Sequence, residues 1–287
     1  MKARLIDGRA KAEQLQQMVA DQVTKLAVKP GLAVVLVGSD PASEIYVKSK
    51  IRRTKEVGMK SFFHFLESNT SEEEIITLIE HLNNDPEVHG ILVQLPLPAH
   101  INQVRVIEKI SPSKDVDGFT VTNAGRLANR LPSLTPCTPL GCLMLIEDAV
   151  ENLEGKVVAI IGSSNVVGRP LIQLMLKQNC TVLVIHRYTQ NPSELVRTAD
   201  IVVVAAGVPG LVRGNWVKPG AVVIDVGINR ITEGNHSLIV GDVAFDEVVD
   251  IASAITPVPG GVGPMTIACL LSNTLSAYSA QTSKQTN

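Results

Sequence analysis

Hydrophobic positions alternate between two textures almost from end to end. Continuous apolar runs of four to seven residues read as strands, and stretches with apolar residues every three or four positions read as helices. The run at 32–37 (LAVVLV) predicts a buried strand, 42–57 a helix and 61–66 (SFFHFL) a second strand. Ser71 and Glu74 form a capping box, and Ile75, Leu78, Ile79 and Leu82 then recur at helical spacing. A third strand, 90–95 (GILVQL), stops against Pro96 and Pro98, and 101–110 predicts a short helix. From 111 to 138 the chain is rich in Ser, Pro, Thr, Asn and Gly, which predicts a turn-filled linker. An apolar helix at 140–150 opens a second βα series: strand 157–161, helix 168–178, strand 181–185, helix 192–198 and strands 201–206 and 221–226. Such Val/Ile runs fit strands buried on both faces of a parallel sheet.

The pattern predicts two α/β domains. The first, 1–138, is the candidate catalytic unit. The second, 139–263, is a Rossmann-type dinucleotide-binding domain with a mostly parallel sheet, and a final apolar helix within 264–287 packs back on the first. The length of 287 residues fits two cores, and a hydrophobic content of 45 % is enough to fill them.

Charge narrows the partners. A net charge of −2 leaves no basic footprint for nucleic acid or an anionic membrane, and 3 % aromatics give no stacking platform for single strands. The longest apolar run, 201–212, is broken by Gly207, Pro209 and Gly210 and is too short to span a bilayer. The N-terminus lacks the apolar core of a secretion signal, so a cytoplasmic location is expected. Cys137, Cys142, Cys180 and Cys269 never approach C-x-x-C spacing, and the six histidines never pair as H-x-H or H-x-x-x-H. No metal site is expected.

Strand 157–161 runs straight into Gly162-Ser163-Ser164-Asn165-Val166-Val167-Gly168-Arg169-Pro170. A glycine at the strand end permits a tight turn, small residues let a pyrophosphate approach backbone N–H groups, and the helix N-terminus favours an anion. A structural βα turn without ligand fits the same spacing. The next strand ends at His186-Arg187, where NAD enzymes carry a ribose-binding acid; an arginine there suits a 2′-phosphate, or is a solvated loop charge. The third strand ends at Ala206-Gly207, small residues suited to close backbone approach.

Four polar groups stand in apolar settings. Tyr46 and Lys50 are four apart on the helix expected at 42–57, either as an acid/base pair at the edge of a core or as an ordinary surface pair. Tyr-x-x-x-Lys is also the pattern of short-chain dehydrogenases, but there it follows the Gly-rich turn within one domain; here Tyr46 precedes Gly162 by 116 residues. Gln94 stands at the carboxyl end of an apolar strand, where α/β ligand sites gather, or is a satisfied core amide. Asp117 lies in Lys114-Asp115-Val116-Asp117-Gly118, either a turn residue or a carboxylate able to grip a guanidine-like edge. The stretch 256–264 holds three prolines and three glycines, rigid enough to present backbone to a ligand.

Taken together, SEIYVKSK, GILVQLPLP, KDVDGF, PCTPLG, IGSSNVVGRP, VIDVGIN, GDV and ITPVPGGVGPMT resemble, in order, the bifunctional methylenetetrahydrofolate dehydrogenase/methenyltetrahydrofolate cyclohydrolase family across residues 43–266. The resemblance implies oxidation of methylenetetrahydrofolate by NADP followed by hydrolysis of the methenyl product. It implies Lys50 as the central catalytic group, with Tyr46 beside it and Gln94 tuning it, and Asp117 on the pterin edge. It places Pro257, Gly260 and Gly261 near folate and nicotinamide. It gives Gly162, Ser163, Ser164, Val167, His186, Arg187, Ala206, Gly207 and Ile228 to the cofactor, and it implies a homodimer. Many relatives carry arginine where this chain has Ser163, so Arg187 is expected to supply the charge for the 2′-phosphate. The competing readings are another two-domain dehydrogenase, of amino-acid type, and a non-catalytic dinucleotide-binding protein.

Overall fold

The computed structural model describes residues 2–233 and 236–283. The chain divides into two compact units, one of 1–12 and 138–266 and the other of 13–137 and 267–287.

In the unit containing 13–137, strand β2 (Gly31–Val37) is the centre of a three-stranded parallel sheet, with β3 (Lys60–Leu66) on one side and β4 (Gly90–Val93) on the other. All seven residues of β2 are buried, as its uninterrupted apolar run requires. Helix α2 (Pro41–Glu56) connects β2 to β3, and α3 (Glu72–Asn84) connects β3 to β4. The expected capping box forms: the Ser71 hydroxyl receives the Glu74 N–H while the Glu74 carboxylate receives the Ser71 N–H. Ile75, Ile79 and Leu82 then pack with Val35, Ile91, Val93 and Val106, the last from α4 (Gln103–Glu108). The stretch 111–138, expected as linker, contains a helix, α5 (Val121–Ala128), started by the Thr120 side chain, which accepts the Asn123 N–H. Val121, Ala124, Leu127 and Ala128 fall at helical spacing, but eight residues are too short a stretch for that pattern to stand out among the surrounding turn residues.

A second core of this unit joins Val19 and Val23 of α1 (Gly8–Thr24) to Val57, Met59 and the Leu271 and Leu275 side chains of α10 (Val262–Ser283). The Asn273 amide donates to the carbonyls of Val116 and Thr135, both at 2.8 Å, and so ties α10 to the segment bearing Asp117. Residues 284–287 of the expected final helix lie outside the described residues.

The other unit holds a six-stranded, wholly parallel sheet. Its order is β1 (Arg4–Leu5), β11 (Ala254–Ile255), β8 (Val222–Asp225), β7 (Ile201–Val204), β5 (Val157–Ile161), β6 (Thr181–Ile185). Residues 1–12, read from sequence with the first domain, belong here because β1 pairs with β11. Helices α6 (Cys137–Ala149), α7 (Gly168–Lys177), α8 (Pro192–Val196) and α9 (Phe245–Val248) accompany the strands. A hairpin of β9 (Asn229–Glu233) and β10 (His236–Val240) leaves the sheet after β8. Strand order reverses at β5: the chain goes outward to β6, then returns past β5 to β7 and β8. In open α/β sheets such a switch point, at the carboxyl ends of the strands, is where ligands bind.

Candidate active site

Helix α2 begins at Asp40, whose side chain accepts the Ser43 N–H at 2.8 Å, with Pro41 in the first turn. Its buried stripe is Ser43, Val47, Lys50 and Thr54. A lysine on that stripe has to find an acceptor. The Lys50 Nζ donates to Gln94 Oε1 at 3.0 Å. Gln94 stands one residue beyond β4, its backbone N–H on Val35 O and its side-chain Nε2 on Leu95 O at 2.7 Å. The amide is thereby locked with its oxygen towards the lysine. Tyr46 is half-buried one turn before Lys50, and burial pushes its phenol above the usual value, so it is an O–H donor at neutral pH.

Two aspartates compete for attention in Lys114-Asp115-Val116-Asp117, and hydrogen bonding separates them. Asp115 is buried and accepts from Phe119 N, Thr120 N and Asn123 Nδ2. It is the carboxylate that folds the turn. Lys114 is also structural, donating to the carbonyls of Leu82 and Asp85 at the end of α3. Asp117 takes none of those turn amides. Burial raises its carboxyl above the ordinary carboxylate range, while the nearby Lys50 ammonium pulls it back. Gly118, at φ +67°, leaves no room for a Cβ, which would meet Leu134 O at 2.7 Å. Lys50, Gln94 and Asp117 are thus brought together, with Tyr46 on the same helix. Cys137 and Asn273, which hold the Val116 carbonyl next to Asp117, carried no signal in the sequence beyond being polar residues in apolar surroundings.

In the other unit the register aligns the candidate cofactor residues. Ile161 pairs with both Ile185 and Val204, and Val204 pairs with Asp225. The loops that follow, carrying Gly162–Ser164, His186–Arg187, Ala206–Gly207 and Ile228, therefore leave one row at the carboxyl edge. The Pro257–Gly261 loop leaves the same edge after β11, which pairs Ile255 with Val223. Gly162 has φ +118°, and a Cβ there would lie 2.1 Å from Ala205 O; a Cβ at Gly168 would lie 2.0 Å from Gly162 O. Both glycines of the G-x-x-x-x-x-G spacing are sterically obligatory. Helix α7 starts at Val167 without a side-chain cap, and the Ser164 hydroxyl accepts the Val167 N–H. Arg187 is exposed, its guanidinium 4.7 Å above the Tyr188 ring. Gly261 has the same close packing, since a Cβ on Gly8 would strike its carbonyl at 1.8 Å.

Among the described residues no group of three or more His, Cys, Asp or Glu could hold a metal ion, and no helix is long and apolar enough to cross a membrane.

Two family models match the chain: the tetrahydrofolate dehydrogenase/cyclohydrolase catalytic domain over residues 6–117 and the NAD(P)-binding domain of the same family over 136–282. The chain belongs to the tetrahydrofolate dehydrogenase/cyclohydrolase family. A curated member, bifunctional protein FolD 2 of Sinorhizobium medicae, is 57 % identical over 282 residues, covering 96 % of this chain and 95 % of that one. A solved tetrahydrofolate dehydrogenase/cyclohydrolase, the bifunctional FolD enzyme of Campylobacter jejuni, superposes with a TM-score of 0.94 at 46 % identity, over 97 % of this chain and 99 % of the other. The Trypanosoma brucei member, complexed with NADP cofactor and inhibitor, has a TM-score of 0.94 at 37 % identity, over 98 % and 99 %. Shikimate dehydrogenase of Aquifex aeolicus, at 13 % identity and a TM-score of 0.51, shares the fold alone.

For this tetrahydrofolate dehydrogenase/cyclohydrolase, two buried acids were passed over in the sequence. Asp225 and Asp242 lie in VIDVGIN and GDV, and Asn229 and Thr256 hydrogen bond to them. The available signal was a lone aspartate at the end of an apolar run, with a glycine within two residues.

Proposed function

We propose that this chain oxidises 5,10-methylenetetrahydrofolate to the 5,10-methenyl cation with NADP and then hydrolyses the cation to 10-formyltetrahydrofolate. The observation that carries the reading is the Lys50–Gln94 hydrogen bond at 3.0 Å with Asp117 beside it, within the residues matched as the family's catalytic domain.

The hydrolysis needs a proton taken from water as its oxygen bonds to the methenyl carbon; as the C–N5 bond then breaks, N5 gains a proton and the new hydroxyl loses its own to become the formyl carbonyl, so that one proton is released overall. Lys50 is suited to move these protons because it is held near the carboxylate of Asp117 and oriented by Gln94 Oε1. Gln94 is itself oriented by Leu95 O, so Lys50 needs no rearrangement before reaction. Asp117 accepts hydrogen bonds from the pterin edge, which it can do because Asp115 has absorbed the turn's amides. Tyr46 contributes a neutral phenol O–H for positioning.

The residues present fit a dinucleotide. Gly162 and Gly168 keep the βα turn free of side-chain bulk, Ser163 and Ser164 flank the open start of α7, and Arg187 presents an exposed cation beyond β6. Bound there, NADP supplies the hydride acceptor for the first step. Ser163–Ser164 and Val167 would hold the pyrophosphate and the His186–Arg187 turn the 2′-phosphate. Ala206, Gly207 and Ile228 would face the remaining length of the cofactor, with Pro257, Gly260 and Gly261 near the reacting rings.

The active species is read as a cytoplasmic homodimer. The outer edge of β3 is unpaired in its sheet, and Phe63 and Phe65 on it are each 45 % exposed, an apolar strip that a second copy would cover. The test is to follow methenyltetrahydrofolate spectrophotometrically, its formation with NADP and NAD in parallel and its decay without either. Failure to form it with both cofactors overturns the reading.

A further inference from the structure

The buried carboxylates of Asp225 and Asp242 have no part in the chemistry above, yet they sit where the cofactor loops leave the sheet. Asp242 is fully buried. Its Oδ2 accepts two successive backbone N–H groups, Ala206 at 2.7 Å and Gly207 at 2.8 Å. Its Oδ1 accepts Asn229 Nδ2 at 2.7 Å. Asp225 holds Asp242 in turn: Asp225 Oδ1 accepts Asp242 N and Gly227 N, both at 2.9 Å, and Oδ2 accepts Val243 N at 2.9 Å. The Asp225 N–H itself donates to Thr256 Oγ1 at 2.8 Å, just before the Pro257–Gly261 loop.

The packing around these groups is built for them. A Cβ at Gly227 would lie 2.3 Å from Asp242 Oδ1, and one at Gly241 would lie 1.8 Å from Asp225 Oδ2. The ion pairs among the described residues involve neither carboxylate. Two unpaired buried anions are a costly way to gain stability, because desolvation opposes them. They do achieve something an apolar core cannot. Successive N–H groups converging on one point make a nest that ordinarily grips an anion from a ligand. At Ala206–Gly207 that nest is already filled from within, so its N–H groups face inward while both residues stay exposed on the outer side. The same carboxylate, through Asn229, also fixes the residue next to Ile228.

We infer that Asp242, framed by Asp225, is a positioning residue for the dinucleotide, fixing through one carboxylate both the Ala206–Gly207 backbone and the Ile228 turn that face it. The inference rests on the reading that these two loops line the cofactor site. Asp242 touches neither substrate nor cofactor; it acts through backbone amides and Asn229.

The test uses the full-length protein with NADP binding measured by calorimetry, hydrolysis of methenyltetrahydrofolate, and the thermal midpoint. Asp242→Asn keeps the shape but leaves one acceptor oxygen for donors on two sides. NADP affinity is expected to fall about 10- to 100-fold, the loss of a charge-assisted hydrogen bond. Hydrolysis, which uses no dinucleotide, stays near the parent, while the midpoint falls only by the few degrees that one unsatisfied buried donor costs. The swap Asp242→Asn with Asn229→Asp restores the contacts made by residue 242, giving up only the long 3.4 Å bond from Asn229 Nδ2 to Val240 O: the new amide oxygen faces Ala206 and Gly207, and its NH2 meets the new carboxylate at 229. NADP affinity in the swap should return to within about threefold. Unchanged NADP affinity in Asp242→Asn overturns the inference, as does parallel loss of hydrolysis and thermal stability with it. Should the single variant fail to fold, the swap decides: folded with parental affinity it supports the inference, folded with weak affinity it overturns it. A separate variant, Ile228→Trp, tests the underlying reading, since bulk at that exposed turn should block NADP. Parental affinity there refutes the cofactor-loop reading itself.

Discussion

The dependence of Lys50 on Gln94 can be measured as a coupling. In the structure the Lys50 Nζ has Gln94 Oε1 as an acceptor at 3.0 Å, and the Gln94 amide is held by Leu95 O at 2.7 Å. Lys50→Met keeps the length and apolar stem of the side chain and removes its proton-transfer capacity. General acid–base catalysis contributes about 10²- to 10⁴-fold, so hydrolysis of methenyltetrahydrofolate should fall by that order. Stability should change much less. The variant removes a buried ammonium and leaves Gln94 Oε1 without its donor, a cost of about 1–3 kcal/mol against the ammonium's own desolvation. Gln94→Ala leaves Lys50 in place but unaligned. A hydrogen bond to a charged group is worth about 1.5–3 kcal/mol, so the rate should drop about 10- to 150-fold. If Gln94 acts through Lys50, adding Gln94→Ala to Lys50→Met changes the rate no further, and the coupling equals the whole Gln94 effect. The assay is single-turnover decay of methenyltetrahydrofolate in the four proteins of the cycle, with thermal melts confirming the folded state. Additive effects would refute the claim that Gln94 works by orienting Lys50. A parental rate in Lys50→Met would remove Lys50 from the catalytic site.

Three further outcomes follow from the same geometry. Asp117→Ala should weaken folate binding by calorimetry about 30- to 1,000-fold, from the loss of about 2–4 kcal/mol of paired charge-assisted hydrogen bonds, with NADP affinity much less affected; equal losses would make Asp117 a turn residue. Arg187→Ala should raise the KM for NADP about 10-fold while barely moving that for NAD, the solvent around this exposed side chain keeping the effect modest; equal change with both cofactors would show that Arg187 only supports its loop. The Asp225 carboxyl is pushed from 3.8 to about 6, chiefly by burial and further by Asp242, against three backbone N–H donors. An acid that binds its proton more tightly when folded loses stability as pH rises from its unfolded value through its folded one, so this site withdraws about 3 kcal/mol between about pH 4 and 6. Denaturant titrations should therefore show Asp225→Asn gaining on the parent across that window, whatever its constant offset; parallel pH curves would contradict the buried titration.

Local sequence determined a large share of this protein. Strand β2 is a run of seven buried apolar residues, the α3 capping box is spelled out by Ser71 and Glu74, and the βα turn at Gly162 forms with both its glycines pressed against backbone. These depend on neighbours within one or two turns of chain, which is the range over which periodicity and backbone sterics act. Short elements escaped that range: α5 has eight residues, and β1 has two, visible only as a partner of β11 some 250 residues away. The tertiary structure alone decided which polar residues are structural and which are exposed to chemistry. Asp115 and Asp117 are two positions apart in a symmetrical motif, and only their hydrogen-bond partners separate the turn-former from the candidate ligand. Gln94, just beyond β4, meets Lys50 of helix α2 across 44 residues, and Asp242, just beyond the β9–β10 hairpin, meets Ala206 beyond β7 across 36. A buried polar group must find a partner, but its sequence states only the need; the fold supplies the partner, and with it the role.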